Sequence, residues 1–162
     1  MQVEYLEKQM TRIMNPLIKI ASSFFLVILF ISGASAQNNG VFGKWVTIDD
    51  ETNEKKSVVE IYEKNGKVYG KIIKLFRKPG EDPDPICDEC DEDDPRYNQK
   101  VIGMEIMIDM KKDGDEYSGG TILKPDEGKI YDCKIWRDGD NLKVRGYIMF
   151  LYRTQVWLPY KP

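Results

Sequence analysis

Turn signals set the spacing of this chain. Asn65-Gly66, Asp113-Gly114-Asp115, Pro125-Asp126-Glu127-Gly128 and Asp138-Gly139-Asp140-Asn141 each fall between short runs rich in Val, Ile, Tyr and Thr. Asn-Gly is the strongest two-residue hairpin signal, because a type I′ turn needs positive φ at both central positions. It predicts that residues 56–64 and 67–76 are paired strands, with Val59 and Ile61 on one face and Val58, Glu60 and Tyr62 on the other. Further strands are expected at residues 43–48, 101–108, 116–123 and 129–137, and a closing hairpin at 142–157. Evenly spaced short strands without a long helical pattern predict an all-β fold, a single antiparallel meander of roughly eight strands closed into a barrel. That is about the number at which a barrel is just wide enough to hold one small ligand. Gly70, Gly119, Gly120 and Gly146 fall inside strands, where glycine marks the bulges and bends that closure requires.

The closing stretch, LKVRGYIMFLYRTQVW, sets Arg145 and Arg153 among Tyr147, Phe150, Tyr152 and Trp157. An arginine in such surroundings must find a π face, a carbonyl or a carboxylate, since an unpaired buried charge is costly. The inward-facing set is expected to come from Val59, Ile61, Val68, Ile72, Ile106, Ile122, Tyr131, Ile135, Val144 and Ile148. Side chains of this kind either fill a barrel or line a cavity in it, and the pattern alone is the same for both.

Residues 14–36, MNPLIKIASSFFLVILFISGASA, read as an export signal: Lys19, an apolar run over 20–31, then Ala34-Ser35-Ala36. The apolar run is about a dozen residues, short of the roughly 20 that span a bilayer, so cleavage is favoured over anchoring. The expected start is Met14 and the expected cleavage follows Ala36, which divides the chain into residues 1–36 and one domain at 37–162. No cysteine follows the cleavage point directly, so a lipid-anchored form is not expected. The expected location is periplasmic or secreted, with no transmembrane anchor once the signal is removed. Loss of Lys8, Arg12 and Lys19 with Glu4 and Glu7 takes the net charge from −3 to −4. That balance argues against nucleic acid or an anionic membrane as a partner, since both select basic patches. The chain has no histidine, which removes histidine-based triads and every histidine metal site.

Residues 77–100 break the strand pattern with Pro79, Pro83, Pro85 and Pro95, a run of acids and Cys87-Asp88-Glu89-Cys90. They predict a long lid crossing one end of the barrel. A Cys87–Cys90 disulfide suits an exported chain. The alternatives are a bridge from either cysteine to Cys133, a thiolate metal site completed by carboxylates, and a redox pair. The surrounding acids oppose the last by disfavouring the thiolate. The acids at Asp84, Asp88, Asp91 and Asp93 could wrap calcium, but the EF-hand glycine and terminal glutamate are missing, and a solvated loop is the plainer reading.

Several segments together resemble a bacterial family, domain of unknown function 2147 (DUF2147). They are Gly43-x-Trp45, Val59-Glu60-Ile61-Tyr62, Gly70-Lys71-Ile72, Ile102-Gly103-Met104, and Gly114-Asp115-Glu116-Tyr117-Ser118-Gly119-Gly120. The likeness continues through Pro125-x-x-Gly128-Lys129-x-Tyr131, Leu142-Lys143-Val144-Arg145-Gly146-Tyr147 and Arg153-Thr154-Gln155-x-Trp157. It implies a secreted or periplasmic lipocalin-like barrel and supplies no reaction or ligand. In lipocalins an indole from a first-strand Gly-x-Trp packs against an arginine of the last strand. That likeness implies barrel closure by Trp45 and Arg153.

The resulting expectation is a non-enzymatic envelope protein that binds a small apolar or amphiphilic ligand, with Tyr131, Gln155 and Tyr147 as orienting groups. The alternative is an interaction protein that docks another envelope component through exposed aromatics or the acidic lid. No motif fixes a catalytic pair, and no cofactor or metal is indicated.

Overall fold

The computed structural model describes residues 40–49 and 52–162. The expected signal, its start at Met14 and its cleavage after Ala36 lie outside the described residues. Eight strands follow one another: β1 (Gly43–Ile48), β2 (Lys55–Lys64), β3 (Lys67–Leu75), β4 (Glu105–Asp113), β5 (Glu116–Lys124), β6 (Lys129–Asp138), β7 (Asn141–Ile148) and β8 (Leu151–Pro159). Each pairs antiparallel with its neighbour, and β8 returns to β1 through Trp45↔Pro159 and Val46↔Leu158, closing the barrel. The described residues contain no helix.

The turn chemistry explains the order. Asn65 and Gly66 have φ of 56° and 73°, as a type I′ hairpin requires. Gly139, with φ 59°, opens the β6–β7 turn. The β4–β5 and β5–β6 pairs are each coiled about glycine. At Gly120 an added Cβ would lie 2.2 Å from the Ile108 carbonyl oxygen, so only glycine lets β5 lie this close to β4. The register slips between Tyr117 and Gly120, and again around Gly70, which supplies the bends of a closed sheet.

Expectation and structure differ at one strand. The run 101–108 is not a strand throughout: residues 101–103 turn, and β4 begins at Glu105. The backbone gives the reason. Gly103 has φ 94°, and its N–H donates to the Ile72 carbonyl at 2.7 Å, tying the turn to the end of β3.

The barrel is filled along only part of its length. Trp45, Ile61, Val68, Met107, Met110, Ile135 and Leu142 pack as a solid core towards the end bearing the β2–β3, β4–β5 and β6–β7 turns. Cys133 belongs to it as a buried free thiol, set between Gly120 of β5 and Gly146 of β7. Burial pushes that thiol up to about 12. At the other end the interior opens.

Candidate functional site

The open end holds a cavity of about 840 Å³, within the range typical of small-molecule sites. Inward positions of the upper strands line it: Ile72, Ile106, Ile122, Tyr131, Val144 and Gln155, with Trp157 beneath. Strand parity places each of them. Trp157 and Val144 face the core, so Gln155 and Arg153 on β8, and Gly146 on β7, take the same side. Gly146 keeps the space beside Tyr131 clear, since a Cβ there would stand 3.3 Å from the Tyr131 Cβ.

Polar groups are few and placed. The Trp157 Nε1–H donates to Gln155 Oε1 at 3.1 Å, turning that amide toward the cavity floor. Thr47 and Ser57 are the buried polar side chains of the wall, and their hydroxyls lie 2.7 Å apart. Mutual bonding satisfies them without a ligand. Charges gather at the rim in pairs. Lys56 Nζ donates to Asp126 Oδ2 at 2.8 Å, and Glu127 takes both Lys124 and Lys129. The Lys124 bond first, then that from Lys129, holds the Glu127 carboxyl below its usual range.

The lid, residues 77–100, crosses this end as the sequence predicted, contributing Pro85, Ile86, Asp88 and Glu89 to the lining. Cys87 and Cys90 form a disulfide, and both are buried in the core cluster. The lid rests on the β5–β6 turn. Cys87 Sγ stands 3.4 Å from the Pro125 carbonyl oxygen, and a Cβ on Gly128 would run into the Glu89 carbonyl. Arg96 holds its lower edge, donating from Nε and Nη2 to Asp94 at 2.8 and 2.6 Å and from Nη1 to the Glu105 carbonyl at 3.3 Å. These bonds depress the Asp94 pKa, the Arg96 side chain first among them. The acids are used singly, Asp84 accepting from the Ile102 N–H at 3.1 Å. Among the described residues no three Cys, Asp or Glu side chains converge as a metal-binding set.

Two of the three expected orienting groups, Tyr131 and Gln155, are in the lining. Tyr147 is not. It has the opposite parity to Val144 and Ile148 and faces outward, its ring centroid 6.0 Å from that of Tyr152. The proposed lock between Trp45 and Arg153 is also corrected. The guanidinium over the Trp45 ring belongs to Arg137 of β6, at 4.8 Å, while Arg153 lines the cavity near the opposite end. Closure by β8 pairs Trp45 with Pro159, six residues beyond Arg153, or about 20 Å of strand. The indole is fixed from the other side by its Nε1–H, which donates to the Val41 carbonyl at 2.8 Å. Thr47, Ser57 and Arg153 were not anticipated in the lining. Counting by twos from Trp45 and Trp157 would have placed Thr47 and Arg153 there.

An antiparallel eight-stranded barrel, solid at one end and hollow at the other under a lid, defines a lipocalin-like protein. The chain belongs to the DUF2147 family, described as an uncharacterized protein conserved in bacteria, whose model matches residues 43–158. Among solved structures it is similar to protein HP1028 from Helicobacter pylori, described as belonging to the lipocalin family. The two are 20% identical with a TM-score of 0.63, over 75% of this chain and 84% of that one. At that identity the likeness speaks for the fold. A search of curated proteins finds no match.

Proposed function

We propose that the protein is an exported, non-enzymatic binder of a small apolar or amphiphilic molecule, held in the cavity beneath the lid. The observation that carries this reading is the cavity itself, about 840 Å³ walled by Ile72, Ile106, Ile122 and Val144, with Tyr131 and Gln155 as its few orienting groups. An apolar wall drives burial of an apolar ligand, and sparse polar groups fix its orientation. The groups whose protonation is displaced furthest lie elsewhere. Cys133 is in the solid core, and Tyr62 lies on the outer face, where burial and its bond to Glu105 raise its pKa. Neither is in the lining, which supports binding over catalysis. Export rests on the signal-like residues 14–36.

Native mass spectrometry of protein secreted by a host and purified without detergent tests the reading. The expected result is extra mass that is lost on denaturation, and displacement of a fluorescent fatty-acid analogue from the cavity. A bare native mass together with no uptake of the analogue would sink it.

A further inference from the structure

The β7–β8 turn is the least expected surface on the molecule. Met149 and Phe150 form a two-residue tip at the cavity mouth, 87% and 84% exposed, flanked by the exposed pair Ile148 and Leu151. Soluble chains rarely present consecutive large apolar residues so openly without a use for them. The polarity changes in order down the hairpin. Below the tip come Tyr147 and Tyr152, then Arg145, whose guanidinium lies 4.5 Å from the Tyr152 ring centroid and 5.0 Å from that of Trp136. Arg145 also donates from Nε to Thr154 Oγ1 at 2.7 Å, and it has no carboxylate partner among the described residues.

An apolar tip over a belt of Tyr and Trp, with a cation at the belt, matches the gradient across a lipid–water interface. The cation is local to the belt: Arg145 stands three residues below Ile148, whereas Lys143 pairs with Asp138 at 3.4 Å towards the sealed end and Arg153 lines the cavity. A narrow, protruding tip gives little of the flat area that a stable protein interface of roughly 1,200–2,000 Å² needs, whereas a bilayer admits a wedge. Two residues beyond the last strand pair make a wedge about 5 Å deep, the depth of the headgroup–acyl boundary.

We infer that the β7–β8 tip, Met149 and Phe150 with Ile148 and Leu151, inserts into a phospholipid surface and sets the cavity mouth against it. Ile148 and Leu151 also line the cavity, so apolar side chains run from the tip to its mouth. An amphiphile could cross that path without full exposure to water. The docking does not require the cavity to be occupied, so it can fail while the binding reading stands, and the reverse.

The test uses the full chain carrying Phe150→Trp, with vesicles of mixed zwitterionic and anionic phospholipid. The position-150 indole is expected to shift to the blue on vesicle addition and to be quenched by lipids brominated near the top of the acyl chain. No shift and no quenching would overturn the proposal, whatever another segment of the chain does. Met149→Ser/Phe150→Ser, at exposed positions, should keep the unfolding midpoint and sediment with vesicles on the order of tenfold less. Sedimentation equal to wild type would overturn it. A wild-type dimer that becomes a monomer in the double variant, with vesicle binding absent from both, would assign the tip to a second copy instead.

Discussion

The two ends of the barrel are built from the same alternating strands yet differ in what lies between them. At the closed end, tight glycine turns draw the strands together. Trp45 fills the remaining space, stacked on Arg137 and bonded to the Val41 carbonyl. At the mouth, the β3–β4 connection runs for some thirty residues, and the inward side chains end at a cavity. Stability is therefore concentrated where the fold is sealed, while the capacity to bind sits where packing is left incomplete. A core position is expensive to alter because its neighbours cannot relax into a void; a cavity wall already lacks partners on one side.

That contrast can be broken by substitution. The largest effect is expected at the seal: Trp45→Ala should lower the unfolding free energy by about 3–5 kcal/mol in urea titrations. A loss under about 1 kcal/mol would show that the closed end does not carry the fold. A matched pair sharpens the point. Ile135→Ala, in the solid half, should cost about 2–4 kcal/mol, and Ile122→Ala, on the cavity wall, about 1 kcal/mol. Equal losses would mean that the cavity collapses in solution. Only the Ile122 variant should change uptake of a fluorescent fatty-acid analogue.

The lid provides two smaller tests. Cys87→Ser/Cys90→Ser removes a short covalent loop, for which chain entropy gives about 2 kcal/mol. The loss should appear as faster amide exchange across residues 84–101, with β6 and β7 unaffected. Asp94 gives the pH dependence. Arg96 lowers its pKa, so its contribution is complete above the unfolded carboxylate value of about 4 and is lost as pH falls through the lower folded value. The expected change is on the order of 1 kcal/mol, seen as lid amides that loosen below about pH 4 in wild type but not in Asp94→Asn. A lid equally protected at low pH would remove that ion pair from the account.

Most of the architecture was legible because it rests on local chemistry. Asn65-Gly66 fixes a hairpin through its dihedral angles, and a proline-rich, acidic stretch between strands cannot join a ladder. The pairing of Trp45 was not legible. The choice between Arg137 and Arg153 depends on which end of β8 meets β1, and that follows from shear accumulated around the whole barrel. The outward turn of Tyr147 was within reach, since Val144 and Ile148 cannot both point inward unless Tyr147 points out. The hollow was not. Ile72 and Ile135 look alike in sequence, and only the length of chain spanning each end decides which meets a neighbour and which meets empty space.

One small feature bears on how the chain reaches this state. Three thiols in an oxidising medium allow three pairings, yet Cys87 and Cys90 are separated by 3 residues while Cys133 lies more than forty further along. Ring closure favours the short pairing over either long one by about 2 kcal/mol, a kinetic preference of some thirtyfold or more before any tertiary structure forms. Once the barrel closes, Cys133 is sealed between two glycines with its proton held to about pH 12, so almost none of it is thiolate. Oxidative folding is thereby sorted twice, first by distance along the chain and then by withdrawal of the third sulfur from exchange.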